Sequence, residues 1–151
     1  MTNDTPEQLD PSIVALTKAI GKKETGGNYN SRGKDNEIGA YQMTPDFINQ
    51  YAPKYGIDPN NFDSVAQDKL AYNVIKEWGT KGKPGYEHMG KLSPAQIASG
   101  WNSGDPDAYL DPEHQGISKG GVAYNTPEYV REVQRNYEEN FPQTPQLPQP
   151  P

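Results

Sequence analysis

The sequence predicts a small, mainly α-helical domain with long loops. Proline follows a Ser, Thr or Asp residue at several points, a pattern typical of the first turn of a helix. The segments between these points are rich in Gly, Asn, Asp and Pro, and no long alternation of apolar and polar residues indicates a large sheet. The segment "RGKDNEIGAYQM", residues 32–43, is the candidate for a short β-hairpin.

The first three helices are predicted to follow the capping residues Asp10, Thr44 and Asp63. In "DPSIVALTKAIGKKE" and "TPDFINQYA", proline comes directly after the cap, where a helix tolerates its missing N–H group. The third helix covers about residues 64–78, because it begins after Asp63 and Gly79 is expected to stop it. Its apolar residues form one stripe at helical spacing, namely Leu70, Ala71, Val74, Ile75 and Trp78.

The fourth and fifth helices repeat the combination of a cap and a proline. The fourth is "SPAQIASGWN", with Ser93 as the predicted cap. The fifth is "TPEYVREVQRNYEENF", with Thr126 as the predicted cap and with Val130, Val133 and Tyr137 as the packing stripe. Five helices in a chain of this length predict a single helical domain.

The length of 151 residues is typical of one domain, which we expect to cover residues 11–141. Residues 1–10 are polar, so we expect a flexible N-terminus, and they lack the basic and apolar pattern of a signal peptide. Residues 142–151 form a run rich in Pro and Gln that cannot continue a helix. We expect this run to be an extended tail or linker.

Composition argues against several classes of function. The formal net charge of −6 lacks the basic excess that nucleic-acid binding needs, and no stretch is apolar enough to cross a membrane. Without cysteine, disulfides and thiolate metal sites are excluded, and His88 and His114 are too far apart for a helical metal-binding pair. The loop "DPDAYLD" lacks the full ligand series of a calcium-binding EF-hand. We therefore predict no metal and no cofactor.

Glu24 is the candidate catalytic acid. Ile13, Leu16 and Ile20 recur at spacings of three and four, and Glu24 continues this series on the face that should be buried. Burial and the negative end of the helix dipole both favour a protonated carboxyl, as a general acid requires. Alternatively, Glu24 lies in a frayed last turn and faces water, and the periodicity supports both interpretations equally.

Four short segments, in order, resemble motifs of the lysozyme-like lytic transglycosylases, which include the soluble lytic transglycosylase domain and its goose-type lysozyme relatives. The segments are "ETGGNYN" at 24–30, "GAYQM" at 39–43, "SGWNSG" at 99–104 and "YNTPEYVREV" at 124–133. The resemblance covers about Ile13 to Tyr137. It implies a lysozyme-like fold in which Glu24 is the catalytic acid.

The resemblance also assigns roles to the residues around Glu24. Tyr129 matches the motif tyrosine that is implied to hydrogen-bond the catalytic glutamate. The residues implied to contact substrate are Thr25, Tyr41, Gln42, Met43, Trp101 and Asn102. The chain departs from the family pattern at four places, with Thr25 for Ser, Trp101 for Tyr, Asn125 for Glu and Pro127 for Arg. The last two changes put in doubt any ion pair that braces this segment in the family.

The implied substrate is the glycan strand of peptidoglycan, cut between N-acetylmuramic acid and N-acetylglucosamine to give a 1,6-anhydro product. An inverting muramidase is the alternative, and it would need a second carboxylate, for which Asp35 and Glu37 are the candidates. A catalytically silent glycan-binding or structural module is a further alternative. We expect action at the cell wall, with the chain delivered by a phage particle or a secretion machine as part of a larger assembly, or excised from a larger protein.

Overall fold

The computed structural model describes residues 8–140, which form a mainly helical domain with one small antiparallel sheet. This confirms the predicted fold class. The helices are α1 (Pro11–Thr25), α2 (Pro45–Tyr51), α3 (Ser64–Thr80), α4 (Pro94–Ser103) and α5 (Thr126–Asn140). The strands are β1 (Gln115–Ile117) and β2 (Ala123–Asn125), and short 3-10 turns lie at Ala52–Tyr55, Glu87–Met89 and Ala108–Leu110. The predicted tail at 142–151 and most of the predicted flexible start lie outside the described residues.

Four of the five predicted helix caps are confirmed. The side chains of Asp10, Thr44, Asp63 and Ser93 each accept a hydrogen bond from an N–H group in the first turn of the helix that follows. Asp10 is also held by a hydrogen bond from its own N–H to the Tyr72 hydroxyl, at 2.9 Å. The folded region therefore includes this last residue of the predicted flexible start.

The predicted cap of α5 is wrong by one residue, and the predicted end of α3 is wrong by two. Asn125 caps α5, because its Oδ1 accepts from the N–H of Glu128 at 3.1 Å, whereas Thr126 lies inside the first turn. The Thr126 hydroxyl instead forms hydrogen bonds with Asn102 of α4 and with His114, just before β1. At the other site, Gly79 does not stop α3, which continues to Thr80.

The hairpin lies at residues 115–125 and not in the predicted segment 32–43. Its strands pair Gln115 with Asn125 and Ile117 with Ala123. In the segment 32–43, Ile38 makes only isolated bridges. Residues with positive φ, namely Asn36, Gly39 and Gln42, turn the backbone too often there for two extended strands to form.

The core lies between α1, α3, α4 and α5, and the packing of α1 against α5 is the most extensive. Trp78 of α3 is the largest fully buried side chain. Lys22 pairs with Glu139 at 3.1 Å and Lys23 pairs with Glu132, so two ion pairs also join α1 to α5. The Lys22–Glu139 pair is exposed and the Lys23–Glu132 pair is half-buried. Solvated pairs of this kind add little stability, and apolar burial supplies most of it. The packing brings the end of α1 next to the start of α5.

Candidate active site

A hydrogen bond joins Glu24, in the last turn of α1, to Tyr129, in the first turns of α5. The Tyr129 hydroxyl donates to Glu24 Oε2 at 2.7 Å. Tyr129 is buried and Glu24 is half-buried, so the carboxyl faces the domain interior more than a frayed helix end would allow. The structure thus contains the hydrogen bond that the resemblance implies. The catalytic role of the pair stays a prediction.

The environment of Glu24 favours the protonated carboxyl. Burial raises the pKa of Glu24 from 4.5 to about 7, while the Tyr129 hydrogen bond and the charge of Lys23 act in the opposite direction. Burial and the nearby Glu24 charge raise the pKa of Tyr129 well above its usual value, so Tyr129 stays a donor. A carboxyl that titrates near neutral pH can give a proton and later take one, as general acid–base catalysis requires.

Thr25 fastens the end of α1 to the loop that carries "GAYQM". Its Oγ1 donates to the carbonyl of Ala40 at 2.8 Å and accepts from the N–H of Asn28 at 2.9 Å. The next residue, Gly26, has a φ of 71° and caps the helix in the left-handed conformation. The hydroxyl of Thr25 therefore joins the backbone that leaves α1 to the backbone at Ala40.

Tyr41 lies beneath the site with its ring in the core. It is 5% exposed, and its hydroxyl donates to Asp68 Oδ1 at 2.6 Å. The ring fits because α1 carries Gly21 there, where a Cβ would lie 2.8 Å from Tyr41 Cε1. Tyr29 donates to the same Asp68 carboxylate at 2.9 Å. The structure therefore gives the Tyr41 side chain a supporting position and leaves it no free ring face for a sugar.

Two polar residues of α3 that the sequence analysis did not single out hold the "GAYQM" loop. One is Asp68, and the other is Gln67, whose Oε1 accepts from the N–H of Ala40 at 2.9 Å. Gly39 has a φ of 80°, and a Cβ there would lie 2.0 Å from Gln67 Oε1, so only glycine fits. Gln67 is three residues before Leu70, on the buried stripe of α3. A polar residue on that stripe is the sequence signal that could have indicated this role.

Gln42 and Met43 form the turn of the loop that Thr25 joins to the end of α1. Gln42 has a φ of 52°, and its Nε2 donates to the carbonyl of Gly39 at 2.9 Å. Its Oε1 lies beside Gly33, where a Cβ would be only 2.6 Å away. Met43 is buried and pairs through its backbone with Ile38. Gln42 is half-buried, so its amide is partly accessible to a ligand.

Trp101 joins the end of α4 to the same loop, and Asn102 joins it to the start of α5. Trp101 Nε1 donates to the carbonyl of Tyr41 at 3.0 Å, and its half-buried ring packs edge-on against Phe47 and Trp78. Asn102 Oδ1 accepts from the Thr126 hydroxyl at 2.8 Å. The exposed part of Trp101 remains available to stack on a sugar ring.

A partly buried hydrogen-bond chain runs from Asn102 through Thr126 to His114. Thr126 is fully buried and donates its only hydroxyl proton to Asn102, so its oxygen accepts from His114 Nδ1 at 2.9 Å. Nδ1 of His114 therefore carries a proton. The chain joins α4, the base of the hairpin and the start of α5, three residues before Tyr129. The sequence raises only the question of metal binding at His114 and does not predict this role.

The two candidates for a second carboxylate have different surroundings. Asp35 is exposed, and its carboxylate lies against the hairpin turn, where a Cβ on Gly120 would be 2.9 Å from its Oδ1. Glu37 is half-buried, and its Oε1 accepts from the N–H of Asp35 at 2.7 Å. The charge of Glu37 contributes to the raised pKa of Glu24. Glu37 is thus the candidate whose charge acts on Glu24.

No three His, Asp or Glu side chains within residues 8–140 come together in a way that could hold a metal ion. In the same part of the chain, no helix is long and apolar enough to cross a bilayer. Neither a protein-family model nor a curated protein matches the sequence.

Proposed function

We propose that the protein is a peptidoglycan lytic transglycosylase with Glu24 as its acid and base. The observation that supports this most is the 2.7 Å hydrogen bond from Tyr129 to a Glu24 carboxyl whose pKa is raised to about 7. A titrating carboxyl held in one orientation is what a glycoside-cleaving acid needs. Gln42 lies on the loop that Thr25 bonds to the end of α1, Trp101 bonds the same loop, and Asn102 bonds the start of α5. These residues supply amide and aromatic groups of the kind that bind sugars.

The reaction needs one carboxyl in two protonation states. Glu24 gives its proton to the oxygen that leaves with N-acetylglucosamine, as the glycosidic bond breaks and positive charge develops on the muramoyl ring. The carboxylate that remains takes the proton of the muramoyl 6-hydroxyl, whose oxygen bonds to the anomeric carbon. Glu24 is protonated again and no water is consumed. The Tyr129 hydroxyl holds the carboxyl in position through both steps.

An inverting muramidase is the alternative, and the position of Glu37 favours it. Such an enzyme needs a second carboxylate to activate water on the opposite face of the sugar. Glu37 is the acidic residue that raises the pKa of Glu24 from the loop between α1 and "GAYQM". The products distinguish the two reactions.

We expect digested peptidoglycan to carry 1,6-anhydromuramoyl ends. Mass spectrometry of the soluble fragments should show ends lighter by one water than reducing ends, because the 6-hydroxyl replaces water as the nucleophile. Fragments prepared with a known muramidase provide the reducing-end control. Mainly reducing ends would assign the chain to the muramidases. A complete absence of soluble fragments would contradict both enzyme assignments and favour a catalytically silent glycan-binding module.

We expect Glu37→Gln and Asp35→Asn each to retain most of the activity. Glu37→Gln removes a negative charge that raises the pKa of Glu24, so the alkaline limb of its pH–rate profile should move to lower pH. Asp35→Asn, two residues away, is the matched control and should leave that limb in place. Loss of activity at every pH in Glu37→Gln, together with reducing ends in the wild-type digest, would instead identify Glu37 as a water-activating base.

A further inference from the structure

A pocket of about 300 Å³ adjoins the candidate site and shares three of its residues, Gln42, Met43 and Trp101. Aromatic and amide residues make up half of its lining. Among the described residues that line it, Lys83 alone carries a charge. A single cation in a small pocket of aromatic and amide groups suggests a site for an anion that belongs to a larger ligand.

Lys83 is half-buried and lies between two aromatic rings. Its Nζ is 5.2 Å from the ring centre of Trp78 and 5.0 Å from that of Tyr86. Its Cδ and Cε pack over Gly100, where a Cβ would lie 3.5 Å from Cδ. These contacts fix the position of the ammonium group, but aromatic rings carry no net charge and cannot neutralise it. Burial lowers the pKa of Lys83, as expected of an ammonium that has lost part of its hydration, while the charge of Asp105 acts in the opposite direction.

Lys83 forms no ion pair within 4.0 Å among the described residues, in contrast to Lys54, although the charge of Asp105 acts on it from a longer distance. The ion pairs in this part of the chain are Lys22–Glu139, Lys23–Glu132 and Lys54–Glu77, so no acidic oxygen comes within 4.0 Å of Lys83. Lys54 also lies over an aromatic ring of the pocket wall, Tyr51 at 5.7 Å, but Glu77 neutralises it at 2.9 Å. Lys83 therefore keeps a positive charge that a ligand can use.

We propose that Lys83 binds a carboxylate of the peptidoglycan strand while the strand lies against Glu24. This inference rests on the proposed function for the identity of the strand. Two groups carry the same chemistry: the lactyl carboxylate of muramic acid without a peptide, and the free carboxylates of the stem peptide. A hydrogen-bonded ion pair in this partly dry pocket would increase affinity about tenfold to a hundredfold.

Tryptophan fluorescence can measure this binding directly, because the chain has two tryptophans, Trp78 and Trp101, and both line the pocket. The Glu24→Gln protein is used so that ligands are not cut. The ligands are the N-acetylglucosaminyl-N-acetylmuramic acid disaccharide and its stem-peptide derivative, each as the free acid and as the methylamide. We expect at least one free acid to bind about tenfold or more tighter than its methylamide. The pair that shows the difference identifies the carboxylate.

Two matched variants test whether Lys83 causes the difference. In the Glu24→Gln background, Lys83→Met keeps an unbranched apolar stem over Trp78 and should bind acid and amide equally. Lys54→Met removes a lysine that is also over a ring but already paired, so the preference for the acid should persist. Equal binding of acid and amide before any lysine is changed would overturn the proposal, and so would a preference that survives Lys83→Met.

The cleavage assay separates this inference from the proposed function. If the wild-type protein cuts peptidoglycan while the binding difference is absent, the Lys83 proposal fails and the enzyme assignment stands. If the binding difference is present and depends on Lys83 but nothing is cut, the pocket binds its carboxylate and the enzyme assignment fails.

Discussion

Glu24→Gln is expected to abolish lysis of cell walls while leaving the fold intact. The amide has the size and shape of the carboxyl, and its oxygen can still accept the hydrogen bond from Tyr129. It has no acidic proton to give to the leaving oxygen, and general acid catalysis contributes roughly a hundred- to ten-thousandfold to such reactions. A zymogram on bacterial cell walls and the rate of release of soluble glycan would measure the loss.

The stability of Glu24→Gln provides the control for this result. Folding raises the pKa of Glu24 from 4.5 to about 7. The stability that the protonated carboxyl gives is therefore full below about pH 4.5 and is lost as the pH rises through about 7. The uncharged amide avoids this loss, so its free energy of unfolding in urea at about pH 8 should equal or exceed that of the wild type. Comparable lysis by a folded Glu24→Gln protein would end the catalytic assignment.

Tyr129→Phe is expected to lower turnover by roughly ten- to a thousandfold, with a small change in stability. The substitution removes the hydroxyl that donates to Glu24 Oε2 and leaves the buried ring in place. Because that hydrogen bond lowers the pKa of Glu24, its loss should move the alkaline limb of the pH–rate profile to higher pH. Glu37→Gln should move the same limb in the opposite direction.

Tyr55→Phe is the matched control for Tyr129→Phe. Tyr55 also donates its hydroxyl to a glutamate, Glu77, at 2.5 Å. The control therefore loses the same kind of hydrogen bond, but to Glu77 of α3 and not to Glu24. Turnover and the pH profile should stay as in the wild type. If Tyr129→Phe also leaves both unchanged, Tyr129 serves packing alone.

Local chemistry made the helices and the position of Glu24 predictable. A cap followed by proline specifies the start of a helix within a few residues, and helical periodicity then fixes which side chains share a face with Ile13, Leu16 and Ile20. The periodicity left open whether Glu24 is buried, because a helix end can fray, and the position of the partner hydroxyl came only from the resemblance. Tyr129 is far away in sequence, and periodicity within α1 carries no information about α5.

Features that depend on distant contacts could not be predicted in the same way. Asn125 and Thr126 are both good caps, and the choice between them depends on the bonds of Thr126 to Asn102 and His114. The hairpin was misplaced because turn residues such as Gly39 also serve to bring a loop against α3. The approach of Lys83 to Gly100 likewise depends on how the loop after α3 returns across α4.

The hydrogen bond between Glu24 and Tyr129 joins residues 105 positions apart, close to the two ends of the described chain. During synthesis, the ribosome adds the acid early and the hydroxyl that holds it late. A nascent or prematurely terminated chain that stops before α5 has the carboxyl but lacks both Tyr129 and the helix that packs against α1. If Glu24 works as proposed, a lytic site forms only in chains whose translation has passed α5, so abandoned fragments cannot attack a wall.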